Sequence, residues 1–506
     1  MRRCVGSAAI LLAALSAGQA GLWRFEISAP ADSTCPRSSG RVFVVLSQTN
    51  HPEPRLALGN AGKNAPFAFA HDVEAFAPGA NAIVDDGAKG YPLPHLAALP
   101  PGDYFLQAVF DWNPDLRSPN APGNLFSKVL PIHLDSAQPS SVKIDLTEQV
   151  PCDQLPEETS QLKFLKIQSA LLSAFHKRPI FLRAGILLPR DYEHEPGRSY
   201  PLWVRIGGLD ARFFSVTNLM AEGSTFRKTW LGKRTPRFIL LQLDGAGPFG
   251  DPYQVNSANN GPYGDALIQE LIPAVESRFR ARGDVRSRVL SGTSTGGWVA
   301  VALQVFYPDF FNGAWASCPD PVDFRSFELV NVYEDENAYR DPLGQERPSE
   351  RDLKGVMTLT MRQEVGMENM LGLANCYSAS GEQWGAWNAV FSPRGADGRP
   401  ALIWDPETGD IDHQVAEYWK RYDLRLVLEE HWQELSWKLK GKIHIASGEA
   451  DQYFLNGAVH LLDSAIARSR PPWKGMVVYG RGKGHGWSNL TVRQMLEQME
   501  RATALP

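Results

Sequence analysis

A serine flanked by small residues, at a point where a strand-like run gives way to a helix-like run, is the first candidate for chemistry in this sequence. The stretch "SGTSTGGW" (291–298) follows "RVL" and opens onto the apolar run "WVAVALQVF". It fits the pattern G-x-S-x-G, in which the serine occupies the apex of a strained turn and the glycines let strand and helix approach closely. The motif predicts Ser294 as a nucleophile; a structural turn without chemistry is the alternative interpretation.

A serine hydroxyl needs a base, and five histidines follow Ser294 along the chain. In this arrangement the expected order is serine, then an acid, then histidine. His485 stands in "GRGKGHGW", a glycine-rich loop after a strand-like run, where its side chain can swing over the edge of a sheet. The other four fit a half-buried strand position (His444) or solvated helical faces (His413, His431 and His460). We therefore predict His485 as the general base.

The same glycine run could also suggest a phosphate-binding loop. It lacks the lysine followed by serine or threonine that such a loop requires, and no helix begins on it at the required spacing. This alternative is therefore set aside.

The acid that orients the histidine should follow the strand before the histidine's own strand. The stretch "IHIASGEADQYF" offers Glu449 and Asp451. A shorter side chain placed further into the loop suits the usual geometry, so Asp451 is preferred. Either carboxylate could instead lie at the N-terminus of the helix-like segment that follows.

Two backbone amides are expected to stabilise an oxyanion. One is the N–H of Thr295, which follows the nucleophile at the positive end of a helix. The second should come from the loop after an early strand, here "VRIGGLD". We predict the N–H of Gly208, because glycine permits close approach of the backbone, with Leu209 as a possible substitute.

Alternating strand-like and helix-like segments indicate how these residues are positioned. Buried runs such as "YPLWVRIGG" and "RFILLQLDG" suit strands of a largely parallel sheet covered on both faces. Pro273 predicts a kink or break in the helix-like segment before the nucleophile's strand. Residues 158–506 are therefore predicted to form an open α/β domain, and residues 21–157, with short strands between Pro- and Gly-rich turns, a β-sandwich-like domain.

A long mixed segment, residues 323–440, interrupts the alternation. Such an insertion between strands is typical of a cap or substrate-binding subdomain, and a structural embellishment is the alternative. It is rich in tryptophan, which could line an aromatic or carbohydrate-facing cleft or pack in a core: Trp384, Trp387, Trp404 and Trp419.

The first 20 residues are typical of a signal peptide, with two arginines, a short apolar core and "AGQA" before a cleavage after Ala20. We expect an exported protein, periplasmic or extracellular, and no later run is long enough to span a membrane. In an oxidising compartment the four remaining cysteines are expected to form disulfides, with Cys35–Cys152 and Cys318–Cys376 the preferred pairs. The formal net charge of −5 gives no indication of nucleic-acid binding.

Four stretches resemble the esterase D-like branch of the α/β-hydrolase superfamily. They are the strand and oxyanion loop "YPLWVRIGG", the helix "GPYGDALIQELIPAVESRF", the elbow "SGTSTGGW" and the acid loop "GEADQYFLNGAV". That branch includes S-formylglutathione hydrolases, enterochelin esterases, feruloyl esterases and mycolyltransferases. The resemblance covers about residues 180–320 and 440–495. It implies an α/β-hydrolase fold and the same triad: Ser294, Asp451 and His485.

Two positions depart from the branch's pattern. Ile206 stands where the branch has a histidine before the oxyanion glycine, and Thr295 stands where its members often have a hydrophobic residue. Neither change removes a catalytic group, but both leave the substrate open.

The residues and the resemblance together predict a secreted serine esterase. The resemblance implies that it needs neither metal nor organic cofactor. Its substrate would be a small-molecule or polysaccharide-linked ester, and lignocellulose esters, siderophore lactones and simple esters all stay open. An acyltransferase using the same acyl-enzyme and a non-catalytic protein binding a glycan or siderophore are the alternatives. A serine peptidase is disfavoured because the flanking stretches match esterases better. Oligomeric state is open.

Overall fold

The N-terminal part of the chain forms strands because β-branched and aromatic residues are separated by short turns. The computed structural model describes residues 23–31, 37–135 and 140–504. The predicted signal peptide and Cys35 lie outside the described residues. The strands of this part are β1 (Arg24–Ser28), β2 (Ser38–Ser47), β3 (Phe67–Phe76), β4 (Asn81–Val84), β5 (Lys89–Tyr91), β6 (Gly102–Asp111), β7 (Leu125–Phe126), β8 (Leu130–Leu134), β9 (Ser141–Asp145) and β10 (Glu148–Gln149).

These strands form two sheets that share one core. A three-stranded sheet has the order β4-β1-β9, and a seven-stranded sheet has the order β10-β7-β6-β2-β3-β5, with β8 also beside β6. Phe25 and Ile27 of β1 pack with Val44 of β2 and Phe110 of β6 between the sheets. The predicted β-sandwich-like domain is therefore confirmed.

The rest of the chain alternates strands with helices. Its strands are β11 (Leu162–Ser169), β12 (Ile180–Leu187), β13 (Leu202–Ile206), β14 (Ile239–Leu243), β15 (Asn256–Ser257), β16 (Gly261–Pro262), β17 (Arg288–Ser294), β18 (Ala314–Pro319), β19 (Pro348–Arg351), β20 (Met357–Thr360), β21 (Ile443–Gly448) and β22 (Met476–Gly480). Its helices are α1 (Ala170–His176), α2 (Val216–Leu219), α3 (Thr225–Trp230), α4 (Tyr263–Ala266), α5 (Ile272–Arg278), α6 (Thr295–Phe306), α7 (Met361–Leu371), α8 (Gln383–Phe391), α9 (His413–Trp419), α10 (Leu424–Glu430), α11 (Trp432–Lys438), α12 (Asn456–Ile466) and α13 (Val492–Thr503).

Eight of these strands form one sheet with the order β11-β12-β14-β13-β17-β18-β21-β22. The six strands from β14 to β22 are parallel, and β12 runs antiparallel to both neighbours. Val204 and Leu290 point into the core on one face, and Trp203 and Val289 into the core on the other. This order and coverage confirm the predicted α/β-hydrolase fold.

Pro273 interrupts the helix before the nucleophile's strand, as predicted. A π-helical turn (Leu267–Leu271) separates α4 from α5, and Pro273 lies in the first turn of α5. Proline lacks an N–H and its ring clashes with the preceding turn, so the regular hydrogen-bond ladder ends there.

The insertion lies between β18 and β21. It contains the hairpin β19–β20 and helices α7 to α11, and its aromatic residues join the core of the α/β domain. All four singled-out tryptophans are buried there, with at most 2% of each exposed: Trp384, Trp387, Trp404 and Trp419.

The insertion also covers the outer face of the seven-stranded sheet. Phe43 and Val45 of β2 pack against Met367 and Met370 of α7. The guanidinium of Arg41, fully buried, donates from Nε to the carbonyl oxygen of Met370 at 2.9 Å. The N-terminal domain and the insertion are therefore joined by an apolar interface with polar contacts at its edge.

The predicted Cys318–Cys376 disulfide is wrong, because both residues are free thiols. Cys318 is buried at the end of β18, with Sγ 3.6 Å from the carbonyl oxygen of Trp487. Cys376 lies in the insertion with Sγ 3.3 Å from Ser378 Oγ. The two thiols face different surroundings, which their position in the sequence does not reveal. The pairing of Cys152 with Cys35 is not tested, since Cys35 lies outside the described residues.

Candidate active site

Ser294 occupies a strained turn between β17 and α6. Its φ of 58° and ψ of −128° place a non-glycine residue in a rarely populated region, which costs about 1–3 kcal/mol. A Cβ on Gly292 would lie 2.0 Å from the carbonyl oxygen of Gly296, and one on Gly296 would lie 2.3 Å from that of Gly207. The glycines of the motif are therefore required by the packing of the turn, which holds the serine at its apex.

His485 and Asp451 lie on the loops that follow β22 and β21. His485 Nδ1 lies 3.0 Å from Asp451 Oδ2, and the Asp451 side chain is fully buried. Gln452 accepts a hydrogen bond from the backbone N–H of His485 at 2.7 Å. Glu449, the alternative acid, is exposed. The structure thus brings Asp451, and not Glu449, to the histidine.

The other histidines after Ser294 lie elsewhere. His444 stacks on Trp315 with ring centroids 4.7 Å apart, and burial lowers its pKa. His460 stacks on Tyr479, while His413 and His431 are exposed.

Ser294 and His485 face the same cavity, and Asp451 is buried behind the histidine. The Ser294 hydroxyl donates to Asp320 Oδ1, 3.2 Å away. Among the described residues no hydrogen bond joins Ser294 to His485. The three predicted residues are therefore close, but the serine hydroxyl is turned toward a fourth residue.

Asp320 was not predicted from the sequence. It is 2% exposed and accepts hydrogen bonds from Tyr253 at 2.5 Å, Thr295 Oγ1 at 3.0 Å and Trp387 Nε1 at 3.2 Å. It directly follows β18, the parallel neighbour of β17, so their carboxyl ends meet at the same edge. An acidic residue directly after that strand was the feature of the sequence that could have revealed it.

The charges at this edge act on one another. Burial raises the pKa of Asp320, although its hydrogen-bond donors oppose the change. Burial also acts to lower the pKa of His485, but the hydrogen bond and charge of Asp451, together with the charge of Asp320, raise it overall. Two carboxylates beside a histidine stabilise its imidazolium form, which a histidine acting as general base adopts after it accepts a proton.

The two predicted oxyanion donors lie beside the nucleophile. Thr295 is the first residue of α6, a helix of 12 residues whose N-terminus carries partial positive charge. A Cβ added to Gly208 would lie 3.9 Å from Ser294 Cβ. Leu209, the substitute, lines the cavity.

A cavity of about 890 Å³ opens at Ser294 between three parts of the chain. Residues 59–64 of the N-terminal domain form one wall. The β19–β20 hairpin and α7 of the insertion form another. The loops after the sheet strands form the floor. All four tryptophans considered as cleft residues lie in the core, and one of them, Trp387, also lines this cavity.

One group of side chains in the described part of the chain has the spacing of metal ligands. Cys318, Asp451 and His485 place one ligand atom each within 4.8 Å of one another. Burial raises the pKa of the Cys318 thiol, which disfavours the thiolate that a metal would need. Asp451 is already engaged by His485, so the arrangement fits a hydrogen-bonded pair better than a metal centre.

In the described ranges, the structure contains no helix with the length and apolar character needed to cross a bilayer.

The chain is distantly similar to several solved structures. An S-formylglutathione hydrolase from Agrobacterium tumefaciens is 14% identical, with 68% of this chain and 94% of that chain covered and a TM-score of 0.35. The fluorophosphonate-binding serine hydrolase F of Staphylococcus aureus is 13% identical, with 68% and 96% covered and a TM-score of 0.37. A ferulic acid esterase from Anaeromyces mucronatus is 13% identical, with 68% and 90% covered and a TM-score of 0.30. Values this low carry no information about the substrate.

No curated protein matches the chain significantly. The model of the family described as Putative esterase matches residues 181–465, more than half of the chain. The match begins in β12 and extends through the nucleophile's turn, the whole insertion and Asp451 into α12, and it ends before His485. The chain therefore belongs to the Putative esterase family.

Proposed function

We propose that this carboxylic ester hydrolase is an exported serine esterase that works through an acyl-enzyme on Ser294. The observation that carries the proposal is the strained Ser294 turn, which faces the same cavity as His485 with Asp451 bound behind it. Backbone strain of this kind persists where the surrounding structure maintains it, and it clusters at active sites.

The reaction begins when the Ser294 hydroxyl turns from Asp320 toward His485. Active-site hydrogen bonds are often long or misaligned before substrate binds, so the resting contact with Asp320 is compatible with this step. Ser294 Oγ attacks the ester carbonyl carbon while His485 accepts its proton. Asp451 holds the histidine ring and stabilises the imidazolium.

The tetrahedral intermediate places a negative charge on the former carbonyl oxygen. The backbone N–H groups of Gly208 and Thr295 donate to it. His485 then returns the proton to the leaving alkoxide, which departs as the alcohol. Water, deprotonated by His485, attacks the acyl-enzyme and releases the acid and free Ser294.

The alternatives use the same site differently. An acyltransferase would pass the acyl group to an alcohol instead of water, and product analysis with added alcohols separates the two. A non-catalytic glycan- or siderophore-binding protein would have no use for a serine held in an unfavourable conformation beside a buried histidine–carboxylate pair. The strain at Ser294 therefore favours catalysis over binding alone.

Covalent labelling tests the proposal directly. A fluorophosphonate probe should label the protein on the peptide that contains Ser294. Ser294→Ala should abolish labelling and lower kcat by on the order of 10⁶. Ser277→Ala, on the exposed face of α5, is the matched control and should label normally. Labelling at another serine would refute the assignment.

Export is the second part of the proposal and depends on the first 20 residues. A signal peptidase that cleaves after Ala20 would leave Gly21 as the mature N-terminus. N-terminal sequencing of the protein recovered from the periplasm or medium should find that residue. Full-length protein in the cytoplasm, with none exported, would contradict it.

A further inference from the structure

The cavity at Ser294 is lined by many more acidic than basic groups. Six carboxylic acids contribute to its walls, and Lys63, at an exposed position, is the one Lys or Arg among its lining residues. The acids are Asp320, Glu328, Glu350, Glu364, Glu368 and Glu382. Such a concentration of carboxyl groups attracts positive charge.

Asp320 and Glu368 each accept several hydrogen bonds from the protein. Asp320 accepts the hydrogen bonds described above. Glu368 accepts hydrogen bonds from the backbone N–H groups of Trp384 and Gly385, each at 2.9 Å, and from Ser380 Oγ at 2.8 Å. Both carboxylates therefore have structural partners.

Glu328 has none. It is 2% exposed, and its Oε2 is buried without a hydrogen-bond partner among the described residues. The charges that act on it most strongly are those of other acids, and burial together with this repulsion raises its pKa. Burying a carboxylate without a partner is costly, so these surroundings favour the neutral acid, and a cation beside Glu328 would favour the carboxylate instead.

The insertion fixes Glu328 in this position. Its backbone is in the left-handed region, with φ 53°, and its carbonyl oxygen accepts a hydrogen bond from Ser326 Oγ at 2.8 Å. The preceding Phe327 packs against Trp387 and Trp419 in the aromatic core. The carboxyl group is therefore held by rigid neighbours and not by a mobile loop.

Glu382 extends the same wall. Its side chain makes no hydrogen bond within the described part of the protein. Burial, reinforced by the charge of Glu364, raises its pKa to about 7. The Glu364 carboxylate accepts a hydrogen bond from Ser349 and is half-buried.

The spacing of these acids favours an organic cation over a metal ion. Within the ranges that the structure describes, no three carboxylates of the cavity place oxygens within 4.8 Å of one another. A divalent metal needs several oxygens at about 2.0–2.6 Å from one point. A primary ammonium group carries three donors and can engage carboxylates that are further apart.

We propose that the acidic wall of this cavity binds a protonated amine carried by the ester substrate, with Glu328 as its main partner. The proposal rests on the proposed function and narrows its substrate class to esters that bear an amino group. Hydrogen bonds between a buried carboxylate and a cation are stronger than those between neutral groups.

Isosteric esters test this preference. On the alcohol side, 5-aminopentyl acetate is compared with hexyl acetate and with 5-hydroxypentyl acetate. On the acyl side, methyl 6-aminohexanoate is compared with methyl heptanoate. In at least one series the amine should be favoured in kcat/KM by about tenfold or more over its neutral counterparts. Equal kcat/KM values for the amine and its neutral counterparts in both series would overturn the proposal. A preference for the hydroxyl compound as large as that for the amine would also overturn it.

Glu328→Gln is the decisive variant, because it keeps the size of the side chain and removes its charge. The ratio of kcat/KM for the amine to that for its isostere should fall toward one. Glu336→Gln, exposed in the insertion and outside the cavity, should keep the wild-type ratio. If Glu328→Gln does not fold, Glu382→Gln should lower the ratio instead. An unchanged ratio in a folded variant would refute the role of the wall.

Direct binding separates this proposal from the proposed function. Calorimetry with Ser294→Ala protein should detect binding of 1,5-diaminopentane. It should detect no binding of hexan-1-ol. Binding of calcium chloride with no binding of the diamine would overturn the proposal in favour of a metal site. Ester hydrolysis that survives Ser294→Ala would refute the proposed function, while the calorimetric result would still decide the amine site.

Discussion

The hydroxyl of Ser294 donates its hydrogen bond to Asp320, with Oγ 3.2 Å from Oδ1. Asp320 is itself held by Tyr253 and Trp387, so the carboxylate is fixed beside the nucleophile. Its charge also acts on His485 and helps to raise the pKa of that residue. One buried carboxylate is thus coupled to both partners of the expected proton transfer.

Asp320→Asn should move the acid limb of the activity profile to lower pH. His485 accepts a proton only when neutral, so kcat/KM falls as pH drops through its pKa. Asp451 and Asp320 both raise that pKa, and removing the charge of Asp320 lowers it. The Cys318 thiol and the Tyr453 hydroxyl add no charge over this range, because burial raises the pKa of each. Glu382 of the same cavity, with a pKa of about 7, is the same in both proteins and does not account for a difference between them. The measurement is kcat/KM against pH; a limb at unchanged pH would show that Asp320 does not act on the base.

Asp451→Asn should lower turnover by about 10⁴, because the amide favours the wrong tautomer of His485. Glu449→Gln provides the matched control, since Glu449 is exposed two residues earlier and does not contact the histidine. Steady-state kinetics on one simple ester compare the two variants. A larger loss in Glu449→Gln would exchange their roles.

The triad positions could be predicted because each depends on local features of the chain. Ser294 stands in a turn that the local pattern of glycines reveals, although the contact that requires Gly296 is with Gly207, which follows another strand. Asp451 and His485 follow consecutive strands of the sheet. Asp320 follows β18 just as directly, but its contact with Ser294 depends on which strands are neighbours, and the pattern of one sequence does not give that order.

The contact between the N-terminal domain and the insertion could have been suspected. The run "VFVVL" in β2 is apolar on both faces, which indicates a strand covered on both sides. Helix α7 covers the second face. It lies more than 300 residues further along the chain, so periodicity could not identify it. The predicted Cys318–Cys376 pair was wrong for the same reason, since distance along the chain does not report distance in space.

Gly296→Ala should disrupt the nucleophile's turn. A Cβ there would lie 2.3 Å from the carbonyl oxygen of Gly207 and 2.4 Å from that of Ile206, and backbone atoms cannot move away cheaply. We expect loss of activity and a lowered Tm. Gly197→Ala, where a Cβ meets nothing within 4 Å, should change stability by about 0.5 kcal/mol or less. Thermal unfolding and ester hydrolysis measure both; a fully active Gly296→Ala would contradict the packing.

Trp404→Ala should destabilise the protein by about 3–5 kcal/mol, because the side chain is fully buried against Tyr377 and Trp384. Trp437→Ala is the control, since Trp437 is 69% exposed, and should have little effect. Chemical denaturation gives the free energy of unfolding of each. Equal stabilities would show that the insertion's aromatic core contributes little.

Trp387 is buried like the other three tryptophans, but we expect its substitution to have a different effect. It lines the cavity and donates to Asp320 at 3.2 Å. Trp387→Phe keeps most of the packing and removes the donor, so KM or the preference between a small and a bulky ester should change more than Tm. Uniform loss on all esters with a lowered Tm would place Trp387 in the core alone.

Arg41→Met should loosen the contact between the N-terminal domain and the insertion. Its guanidinium donates to the Met370 carbonyl at 2.9 Å and to Asn375 Oδ1 at 2.7 Å, and removing it leaves both acceptors without this partner. A loss of about 1–3 kcal/mol is expected. Residues 59–64 of the N-terminal domain line the cavity, so KM should rise along with the loss of stability.

Arg24→Met removes an exposed ion pair with Glu26 in the three-stranded sheet of the same domain, and should cost about 1 kcal/mol or less. Denaturation and kinetics on both variants separate a general effect on the domain from an effect on the cavity. A domain that only assists folding would give Arg41→Met a lower Tm with unchanged KM. A domain that forms part of the substrate site would change KM in Arg41→Met and leave it unchanged in Arg24→Met. The residues that line the cavity favour the second outcome, because an ester large enough to fill about 890 Å³ must contact residues 59–64.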